Sequence, residues 1–366
     1  EFAKLFPAQF IAEGLDQTRA WFYTLLVLST AIFDEPPFKN VIVNGLVLAE
    51  DGSKMSKSKR NYPDPSLVLE EYGADALRAY LINSPVVRAE PLLFNENGVR
   101  EVVRAVMLPL FHSWSFFVQY ANIDNWSPSS KSPAIKDRPE IDRWVLSKLQ
   151  SLVREVNEQM EGYYLYKVIP PMIEFIDDLT NWYIRQSRRR FWKNANDTKS
   201  EADKQSAYAT LYEVLVTFSK VIAPVLPFMS ETLFQNLVNE MSAEKAEESV
   251  HWCDFPVADK AKIDENLEKS VAVIRQVVRM GRALREKYRI KTRQPLAGVT
   301  VVTHDVISQN AILAHASLLE QELNVKSVEV IKDDDELCEI VIKPNFKTLG
   351  KLFGKRMKEA GQLIST

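Results

Sequence analysis

Two short apolar runs flank one long apolar stretch in the first fifty residues. Residues 9–14 predict a strand that ends in a glycine turn, and residues 41–48 predict a second strand. Between them, Asp16 is placed to cap a helix over residues 17–33, which is apolar on most sides and is therefore expected to be buried. Strand, helix and strand predict one right-handed βαβ unit, the building block of a doubly wound nucleotide-binding sheet.

Helical spacing of apolar residues dominates the middle of the chain. The Asp64-Pro65 turn begins a helix that Gly73 is expected to stop, and a second short helix follows. Further helical patterns predict an antiparallel bundle over residues 99–121, 141–161, 163–192, 204–222 and 228–240. Pro170 and Pro171 are expected to break or kink the third of these segments, and the polar residues 194–203 are expected to be mobile.

The pattern changes again in the C-terminal part of the chain. Its predicted elements are a helix over 266–288, a strand at 298–303, a helix near 307–322, strands at 325–332 and 338–343 and a helix over 346–359. The predicted fold is thus the α/β half of a doubly wound nucleotide-binding domain, followed by an all-α helical bundle and a small α+β C-terminal piece.

Composition narrows the classes of protein that fit these elements. The 366 residues carry a net charge of −3, so a nucleic-acid partner must be held by local basic patches. Cys253 and Cys338 lie far apart without a Cys-x-x-Cys partner, which argues against a disulfide scaffold or a zinc site and favours a cytoplasmic protein. The longest apolar run, residues 21–33, is too short to cross a bilayer, so no membrane association is expected.

A cluster of positive charge directly follows the second predicted strand. Residues 50–60, here called the lysine loop, read E-D-G-S-K-M-S-K-S-K-R and contain Lys54, Lys57 and Lys59. A turn-rich loop at the carboxyl end of a strand is where α/β proteins bind phosphates, and lysine supplies a point charge on a flexible stem. Charge alone favours the simpler alternative of a solvated, lysine-rich surface loop.

A second polar cluster, Glu13 to Gln17, is expected at the same edge of the sheet because it also follows a strand. Glu13 is suited to a substrate ammonium group, and Asp16 and Gln17 are suited to hydrogen bonds with a ribose or an α-amino group. The main chain at Asn44-Gly45 is suited to lie against adenine, and Trp21 to wall an apolar pocket. The simpler alternatives are that Asp16 is only a helix cap and Trp21 only core.

Arginines form a third cluster, near the end of segment 163–192. Arg185, Arg188 and Arg189 recur at helical spacing beside Trp182 and Trp192. Arginines with flanking aromatic residues are suited to phosphate contact and base stacking. A solvated helix end, where cations complement the helix dipole, explains the same pattern without RNA.

Several strings in these clusters resemble a known family. Lys54-Met55-Ser56-Lys57-Ser58 resembles the KMSKS loop of class I aminoacyl-tRNA synthetases, and residues 6–22 resemble the block preceding that loop in isoleucyl-tRNA synthetases. Residues 73–78 are similar to the family's stem-contact element, residues 180–192 to its anticodon-binding bundle and residues 282–296 to the junction after that bundle.

The resemblance implies a role for each candidate residue. The aminoacyl-adenylate would be contacted by Glu13, Gly14, Asp16 and Gln17, while Trp21 would line the side-chain pocket. The catalytic residues of the lysine loop would be Lys54, Ser56 and Lys57, of which the two lysines hold the ATP phosphates. The tRNA contacts would come from Arg185, Arg188, Arg189, Arg190, Arg282 and Arg285. Ala20 departs from the family, which usually has glycine there, and adds one methyl group where the helix approaches the ligand.

The resemblance also implies a division of the chain. Residues 1–60 would be the second half of the class I catalytic domain with the KMSKS loop, 61–92 a helical stem-contact element, 93–262 the anticodon-binding bundle and 263–366 a junction with the start of a small α+β domain. The family's His-Ile-Gly-His string is missing from the sequence. The other half of the catalytic domain and the editing domain are therefore expected upstream of residue 1, and this chain alone is expected to be inactive.

The function implied is ligation of isoleucine to tRNA(Ile) with ATP and Mg²⁺, by a full-length enzyme expected to be monomeric, with no metal site in this segment. Valine–tRNA ligase is the nearest alternative, because one methylene changes binding by only about 1–3 kcal/mol. A non-catalytic tRNA-binding protein is an alternative of another class, in which the lysine loop and the arginines form one electrostatic surface. Dependence of ATP binding on Glu13 and Lys57 separates this last hypothesis from the ligases.

Overall fold

The computed structural model describes residues 2–56, 58–59, 61–128, 131–193, 197–241 and 247–332, together with Gly354. Contacts divide the chain into two compact units, residues 1–265 and residues 266–366. Lys57, Arg60 and Cys338 lie outside the described residues, as do the strand predicted at 338–343 and the helix predicted at 346–359.

The first unit opens with two parallel strands joined through a helix. After a short helix α1 (Phe2–Leu5), strand β1 spans Ala8–Gly14, helix α2 spans Trp21–Phe33 and strand β2 spans Phe38–Asn44. In the parallel β1–β2 pair, Ala8 is the partner of Phe38 and Gly14 is the partner of Asn44. The predicted order of strand, helix and strand is confirmed, and both strands end at the same edge.

The helix between these strands begins later than predicted. Leu15–Arg19 forms a separate 3-10 turn, and Ala20 leaves helical geometry (φ −133°, ψ −102°) before α2 begins. Asp16 is therefore not the cap of the long helix, because the extra turn removes it from the first free N–H groups of α2. The residue at the N-cap position is Ala20, and Gln17 Oε1 accepts the main-chain N–H of Trp21, the first residue of α2, at 3.1 Å.

Helix α2 is also more exposed than its apolar sequence predicts. Its buried residues are Phe22 and Ser29, whereas Leu28 is 52% exposed and Ile32 is 68% exposed. A helix that is apolar on most sides needs packing partners on most sides, and the two-stranded β1–β2 sheet does not supply them among the described residues. The expected burial of this helix is therefore wrong for this chain by itself.

The second predicted strand is divided at Gly45. Strand β2 ends at Asn44, and Val47–Leu48 forms a separate strand β3, which pairs in parallel with β4 (Leu92–Leu93). The single strand expected over residues 41–48 therefore belongs to two small sheets. The lysine loop leaves the end of β3, not the end of β2.

Helix α3 (Pro65–Ile82) follows the lysine loop and begins as predicted. The Asp64 side chain caps it by accepting the Ser66 N–H at 2.9 Å. Gly73 interrupts the helix with φ 82° and ψ 159°, a conformation that glycine adopts without steric cost. The predicted break at Gly73 is thus present as a kink between two helical halves.

The second half of α3 attaches to the helices that follow. The buried Asp75 carboxylate accepts the main-chain N–H of Met229 at 2.7 Å, at the N-terminal end of a helix. Arg78 donates to the carbonyl oxygen of Pro224 at 2.8 Å and to that of Val225 at 3.3 Å, just after the preceding helix. An anion at a helix N-terminus and a cation at a C-terminus both complement the helix dipole. The two side chains therefore fasten α3 to this corner.

The helices predicted from the apolar spacing of the middle segment are present. They are α4 (Glu96–Val102), α5 (Leu108–Ile123), α6 (Glu140–Glu161), α7 (Ile169–Asp177), α8 (Arg185–Trp192), α9 (Thr198–Ile222) and α10 (Pro227–Phe234). The π-helical turns Val103–Met107 and Asp178–Ile184 join α4 to α5 and α7 to α8, and Gln235–Asn239 extends α10. Large buried side chains of their core include Trp144, Tyr183, Tyr208, Phe117 and Phe218.

Two predictions about irregular stretches of this bundle have different outcomes. The break at Pro170 and Pro171 is confirmed: α7 begins at Ile169, so both prolines lie in its first turn, where a missing N–H costs no helical hydrogen bond. The expectation of a mobile stretch over 194–203 is wrong for its described part. Asp197 accepts the Ser200 N–H at 2.7 Å in a capping box, so these polar residues begin α9.

The second unit is a small α+β arrangement, as predicted for its described part. Its elements are α11 (Glu265–Lys287), β5 (Val299–Val302), α12 (Val306–Ala314), α13 (Ala316–Leu323) and β6 (Val328–Ile331). Strands β5 and β6 are parallel, and Val299 is the partner of Val328. The single helix predicted over 307–322 is divided at His315, whose backbone is not helical (φ −113°, ψ 22°).

Candidate active-site edge and nucleic-acid interface

The carboxyl ends of β1 and β2 bring the Glu13 cluster and the main chain at Asn44 together. Gly14 and Asn44 are register partners, so Glu13 and Asn44 stand on adjacent strands at one edge. The Glu13 side chain is exposed, and Gln17 Nε2 donates to Asp16 Oδ2 at 2.8 Å. This edge therefore presents a carboxylate, an amide and open main chain to solvent, which can bind ammonium and hydroxyl groups.

Gly14 and Trp21 flank this edge. A side chain at Gly14 would place its Cβ 2.8 Å from Asp16 Oδ1, so the glycine makes room for the Asp16 carboxylate to fold back over the strand end. Trp21 is 47% exposed, which does not fit the alternative that it is only core. Its indole is available as one wall of an open apolar surface beside the edge.

Position 45 requires a glycine for a structural reason that was not predicted from the sequence. Its N–H donates to the Val86 carbonyl oxygen at 2.7 Å, and a Cβ at Gly45 would lie 1.9 Å from the Glu90 carbonyl oxygen. The missing side chain therefore makes room for the main chain of residue 90, whereas adenine was the predicted neighbour of this glycine. Two separate lengths of backbone meet here, and this contact is what separates β2 from β3.

Replacing Gly45 with alanine is expected to destabilise the chain by about 1–3 kcal/mol or more, as overpacking of a close contact does. The colliding atoms belong to backbone on both sides, so a rotamer change cannot relieve the contact. Denaturant unfolding of the wild-type chain and the variant measures the change. Leu46→Ala is the control, because Leu46 is 62% exposed and should change stability little. Equal stability of the Gly45 variant and wild type would contradict this account.

Hydrogen bonds close the first part of the lysine loop into a turn. Leu48 and Lys54 form an antiparallel bridge, and the Ala49 N–H donates to the Ser53 carbonyl oxygen at 3.0 Å. The Asn61 side chain accepts the Ser56 N–H at 2.9 Å and donates to Ser53 Oγ at 2.8 Å. The loop therefore has a fixed base, and the Lys54 side chain is exposed above it.

Two further polar groups of the loop bind within it. Ser56 Oγ lies 2.8 Å from Ser58 Oγ, so these hydroxyls share a hydrogen bond. Hydrogen bonds from the Ser53 hydroxyl and then from the Ser53 main chain lower the pKa of Asp51. The only carboxylates of the loop are Glu50 and Asp51, and Glu50 accepts a hydrogen bond from Asn95 Nδ2 at 2.9 Å. Both acidic side chains are thus engaged away from Lys54.

Asn61 is the residue of this site that the sequence analysis missed. It lies one residue beyond the lysine loop, and its side chain bonds to three positions of the loop, including the Lys54 carbonyl oxygen at 3.2 Å. The signal in the sequence was an asparagine directly after a turn-rich run, because asparagine side chains often bond to nearby main chain.

The predicted arginine cluster divides into an exposed part and a buried part. Arg188 and Arg189 are exposed on α8, together with Trp192, which is 55% exposed. Arg185 is half-buried, with its guanidinium carbon 5.7 Å from the centre of the Trp182 ring. Exposed arginines beside an exposed indole can bind phosphate and stack on bases. This part of α8 keeps the predicted chemistry of an RNA contact.

Arg190 is the exception, because its guanidinium is used inside the bundle. Its Nη1 and Nη2 donate to the two carboxylate oxygens of Asp142, each at 2.7 Å, and Nη2 also lies 3.0 Å from Asp203 Oδ1. Only 13% of the Arg190 side chain is exposed, and Asp142, which also accepts the Tyr183 hydroxyl at 2.9 Å, is fully buried. Burial is the largest single influence and opposes the charged guanidinium, but the hydrogen bonds with Asp142 together with the charges of Tyr183, Asp142 and Asp203 outweigh it and raise the pKa of Arg190. We correct the predicted tRNA contact to a structural ion pair.

Arg285 requires the same correction in the second unit. It is 5% exposed, and it donates to the carbonyl oxygens of Lys291 and Gln294, each at 3.0 Å, and of Leu323 at 2.7 Å. The Arg285 guanidinium thus closes the loop after α11 and binds the carbonyl end of α13, so it is not available to contact RNA. Arg282 remains exposed at 42% of its side chain, although it pairs with Glu322.

Clusters of metal ligands and membrane-spanning helices are two features that can be looked for in the part of the chain that the structure describes. The described residues contain no group of three or more histidine, cysteine, aspartate or glutamate side chains that could hold a metal ion. Within the same ranges, no helix combines the length and the apolar character needed to cross a bilayer.

Comparisons with known proteins match both the part of the chain with the strand edge and the lysine loop and the part with the arginine cluster. A family model described as tRNA synthetases class I (I, L, M and V) matches residues 1–92, which carry the strand edge and the lysine loop. A second, described as the anticodon-binding domain of tRNA ligase, matches residues 142–302, which carry the arginine cluster. The methionyl-tRNA synthetase of Mycobacterium tuberculosis, solved with methionyl-adenylate, shares the fold: its TM-score is 0.54 at 17% identity, over 69% of this chain and 51% of that one.

Curated relatives share a higher fraction of identical residues with this chain than that structure does. The isoleucine–tRNA ligase of Chlamydia trachomatis serovar L2b is 50% identical over 360 residues, which are 98% of this chain and 34% of that protein. The isoleucine–tRNA ligase of Treponema denticola is 47% identical over 374 residues, with 99% and 33% covered. The chain spans about a third of the length of these curated relatives. It therefore belongs to the class I aminoacyl-tRNA synthetase family, as a member whose sequence is similar throughout to isoleucine–tRNA ligases.

Proposed function

We propose that this chain is part of an isoleucine–tRNA ligase, namely the KMSKS half of the catalytic domain followed by the tRNA-binding region. The observation that carries the proposal is the shared edge of β1 and β2, where Gly14 and Asn44 are register partners. The lysine loop begins shortly after that edge, at the end of β3, with Lys54 exposed on a hydrogen-bonded base. An amino-acid substrate and a polyphosphate can thus be held by one continuous segment of chain.

The reaction has two steps. The isoleucine carboxylate attacks the α-phosphorus of ATP, which forms isoleucyl-adenylate and releases pyrophosphate; a terminal hydroxyl of tRNA(Ile) then takes the acyl group and AMP leaves. Positioning and charge stabilisation account for most of the rate of the first step. Lys54 and Lys57 hold the phosphates as negative charge moves to pyrophosphate. Glu13 binds the amino group, and Asp16 and Gln17 bind the adenylate.

The exposed Glu13 and Asp16, the half-buried Gln17 and the lysine side chains fit an amino acid and a nucleoside triphosphate better than they fit a bound metal. We therefore propose that Mg²⁺ enters with ATP and is held by the phosphates. The proposal further includes the four-part division at residues 60, 92 and 262, a cytoplasmic location and a monomeric full-length enzyme.

The exchange of labelled pyrophosphate into ATP by the full-length protein tests the proposed function. Isoleucine, valine, leucine and methionine are compared in parallel, each at saturating concentration. We expect exchange to depend on isoleucine most strongly. Exchange led by valine would keep the mechanism and change the substrate, and no exchange with any of the four would leave a tRNA-binding protein without activation chemistry.

The exposed arginines of α8 give a separate prediction for tRNA. Replacing Arg188 and Arg189 with alanine should weaken tRNA(Ile) binding and reduce the slope of log K against log salt by about 0.7–0.9 for each phosphate that is no longer neutralised. The folded state should be unaffected because both side chains are exposed.

Binding isotherms at several salt concentrations measure that slope. Arg104→Ala is the matched control, since Arg104 is an exposed arginine on the turn between α4 and α5 and pairs with Glu101 at 3.0 Å. An unchanged slope in the double variant, or an equal change in the control, would rule out a phosphate contact at α8.

A further inference from the structure

Met55 is the only apolar side chain in the lysine loop, and it borders a cavity. The cavity has a volume of about 200 Å³ and lies between the loop, α3 and the β3–β4 sheet. Its walls are apolar or aromatic and include Val47, Tyr62, Val68, Leu77, Leu81 and Phe94. Among the described residues, these walls contain no acidic side chain that could pair with the lysines of the loop. The apolar Met55 is therefore the loop side chain that fits this cavity.

Met55 and the lysine before it in the chain differ in their exposure. Lys54 is exposed while Met55 and Ser56 are half-buried. Met55 borders the apolar cavity, whereas the side chain before it, Lys54, lies in solvent on the side open to a ligand. The contact of Met55 with the cavity therefore adds an apolar constraint on the short segment that carries Lys54.

The hydrogen bonds in the described part of the loop constrain the main chain on both sides of Met55 but do not involve its side chain. They fix the base of the loop, at the Leu48–Lys54 bridge and at Asn61, and they involve main chain and short polar side chains. A space of about 200 Å³ remains beside Met55, and a methionine has three rotatable bonds with which to fill it to different depths. The contact is thus apolar, adjustable and separate from the polar base.

The structure assigns Met55 as the positioning residue of the lysine loop: its side chain borders the cavity beside α3, and this apolar contact holds the exposed Lys54 at the place where ATP is to bind. The assignment rests on the proposed function, since it concerns the same loop and the same step. Met55 itself touches no reacting atom. It acts by limiting the positions that Lys54 can take. A displacement of a catalytic group by about 1 Å can lower the rate a hundredfold.

Pyrophosphate exchange by the full-length protein, with isoleucine and varied ATP, tests this assignment in Met55→Ala and Met55→Leu. We expect the alanine variant to lower kcat by about 10- to 100-fold, with less change in KM for ATP and with an unchanged Tm. Leucine keeps the volume and the apolar contact, so it should restore most of the rate. Met280→Ala is the matched control, because Met280 is 56% exposed on α11, and its rate should equal that of wild type.

A second variant tests whether the contact between Met55 and the cavity is what maintains kcat. Leu81→Ala enlarges the seat without changing the loop, so it should also lower kcat. If both substitutions remove one contact, the double variant Met55→Ala with Leu81→Ala should be hardly slower than the slower single variant. Rates that multiply would mean that the two residues act independently.

The outcomes separate this assignment from the function on which it rests. An unchanged kcat in Met55→Ala, a leucine variant as slow as the alanine variant, multiplying rates, or a loss of rate matched by a lower Tm would each overturn the positioning role. All of these leave the ligase assignment standing if wild type exchanges pyrophosphate and Lys57→Ala does not. A wild-type protein without exchange would overturn both.

Discussion

Replacing Lys57 with alanine in the full-length protein is expected to lower the rate of isoleucine-dependent pyrophosphate exchange by about two orders of magnitude or more. This is the loss that follows removal of one charged donor from a developing anion in a preorganised site. Negative charge moves to pyrophosphate as the bond to the α-phosphorus breaks, so the effect should appear mainly in kcat. Lys57 lies outside the described residues, and the prediction rests on its place in the string 54–58 and on the fixed base of the loop.

Lys39→Ala is the control for this experiment. Lys39 is an exposed lysine near the start of β2, at the opposite end of the strand from Asn44. Removing it changes the net charge equally but should leave the exchange rate close to that of wild type. Lys54→Ala should also slow exchange, by a smaller factor. An unchanged rate in Lys57→Ala would refute the catalytic role of the lysine loop.

Replacing Asp142 with alanine is expected to destabilise the chain by about 3–5 kcal/mol, the usual cost of removing one partner from a buried ion pair. Asp142 is fully buried and accepts both Arg190 donors at 2.7 Å, together with the Tyr183 hydroxyl. The variant leaves the Arg190 guanidinium inside the bundle with Asp203 as its remaining carboxylate partner. Denaturant unfolding, followed by helical circular dichroism, measures the loss.

Two further variants show whether the charge is responsible. Arg188→Ala removes an exposed arginine from the same helix, and its effect on stability should stay within about 0.5 kcal/mol. Combining Asp142→Leu with Arg190→Met removes both charges and should recover much of the loss, because neither charge is then buried alone. A loss below about 1 kcal/mol in Asp142→Ala would place this pair with the weak surface bridges and contradict its structural role.

Local interactions explain which features could be predicted from the sequence. Asp64 caps α3, Gly73 interrupts it, and the strands around α2 are parallel, each as predicted. A cap or a glycine with positive φ depends on neighbours a few residues away, which the sequence shows directly. The strings at residues 6–22 and 54–58 likewise indicated the family, because they carry the residue types of the site in their own order.

Features set by distant neighbours could not be read in this way. Arg188, Arg189 and Arg190 are consecutive, yet the first two are exposed and the third is paired with Asp142, 48 positions earlier. Residue 45 is a glycine because the main chain of Glu90 leaves no room for a side chain. The apolar α2 remains exposed because the described residues do not provide packing partners on its other sides.

The sequence by itself thus determined the local elements, the lysine loop and the family. The tertiary structure decided which charges are free to meet a ligand. The physical reason is that burial and pairing depend on what packs against a side chain, and packing partners come from positions that sequence spacing does not connect.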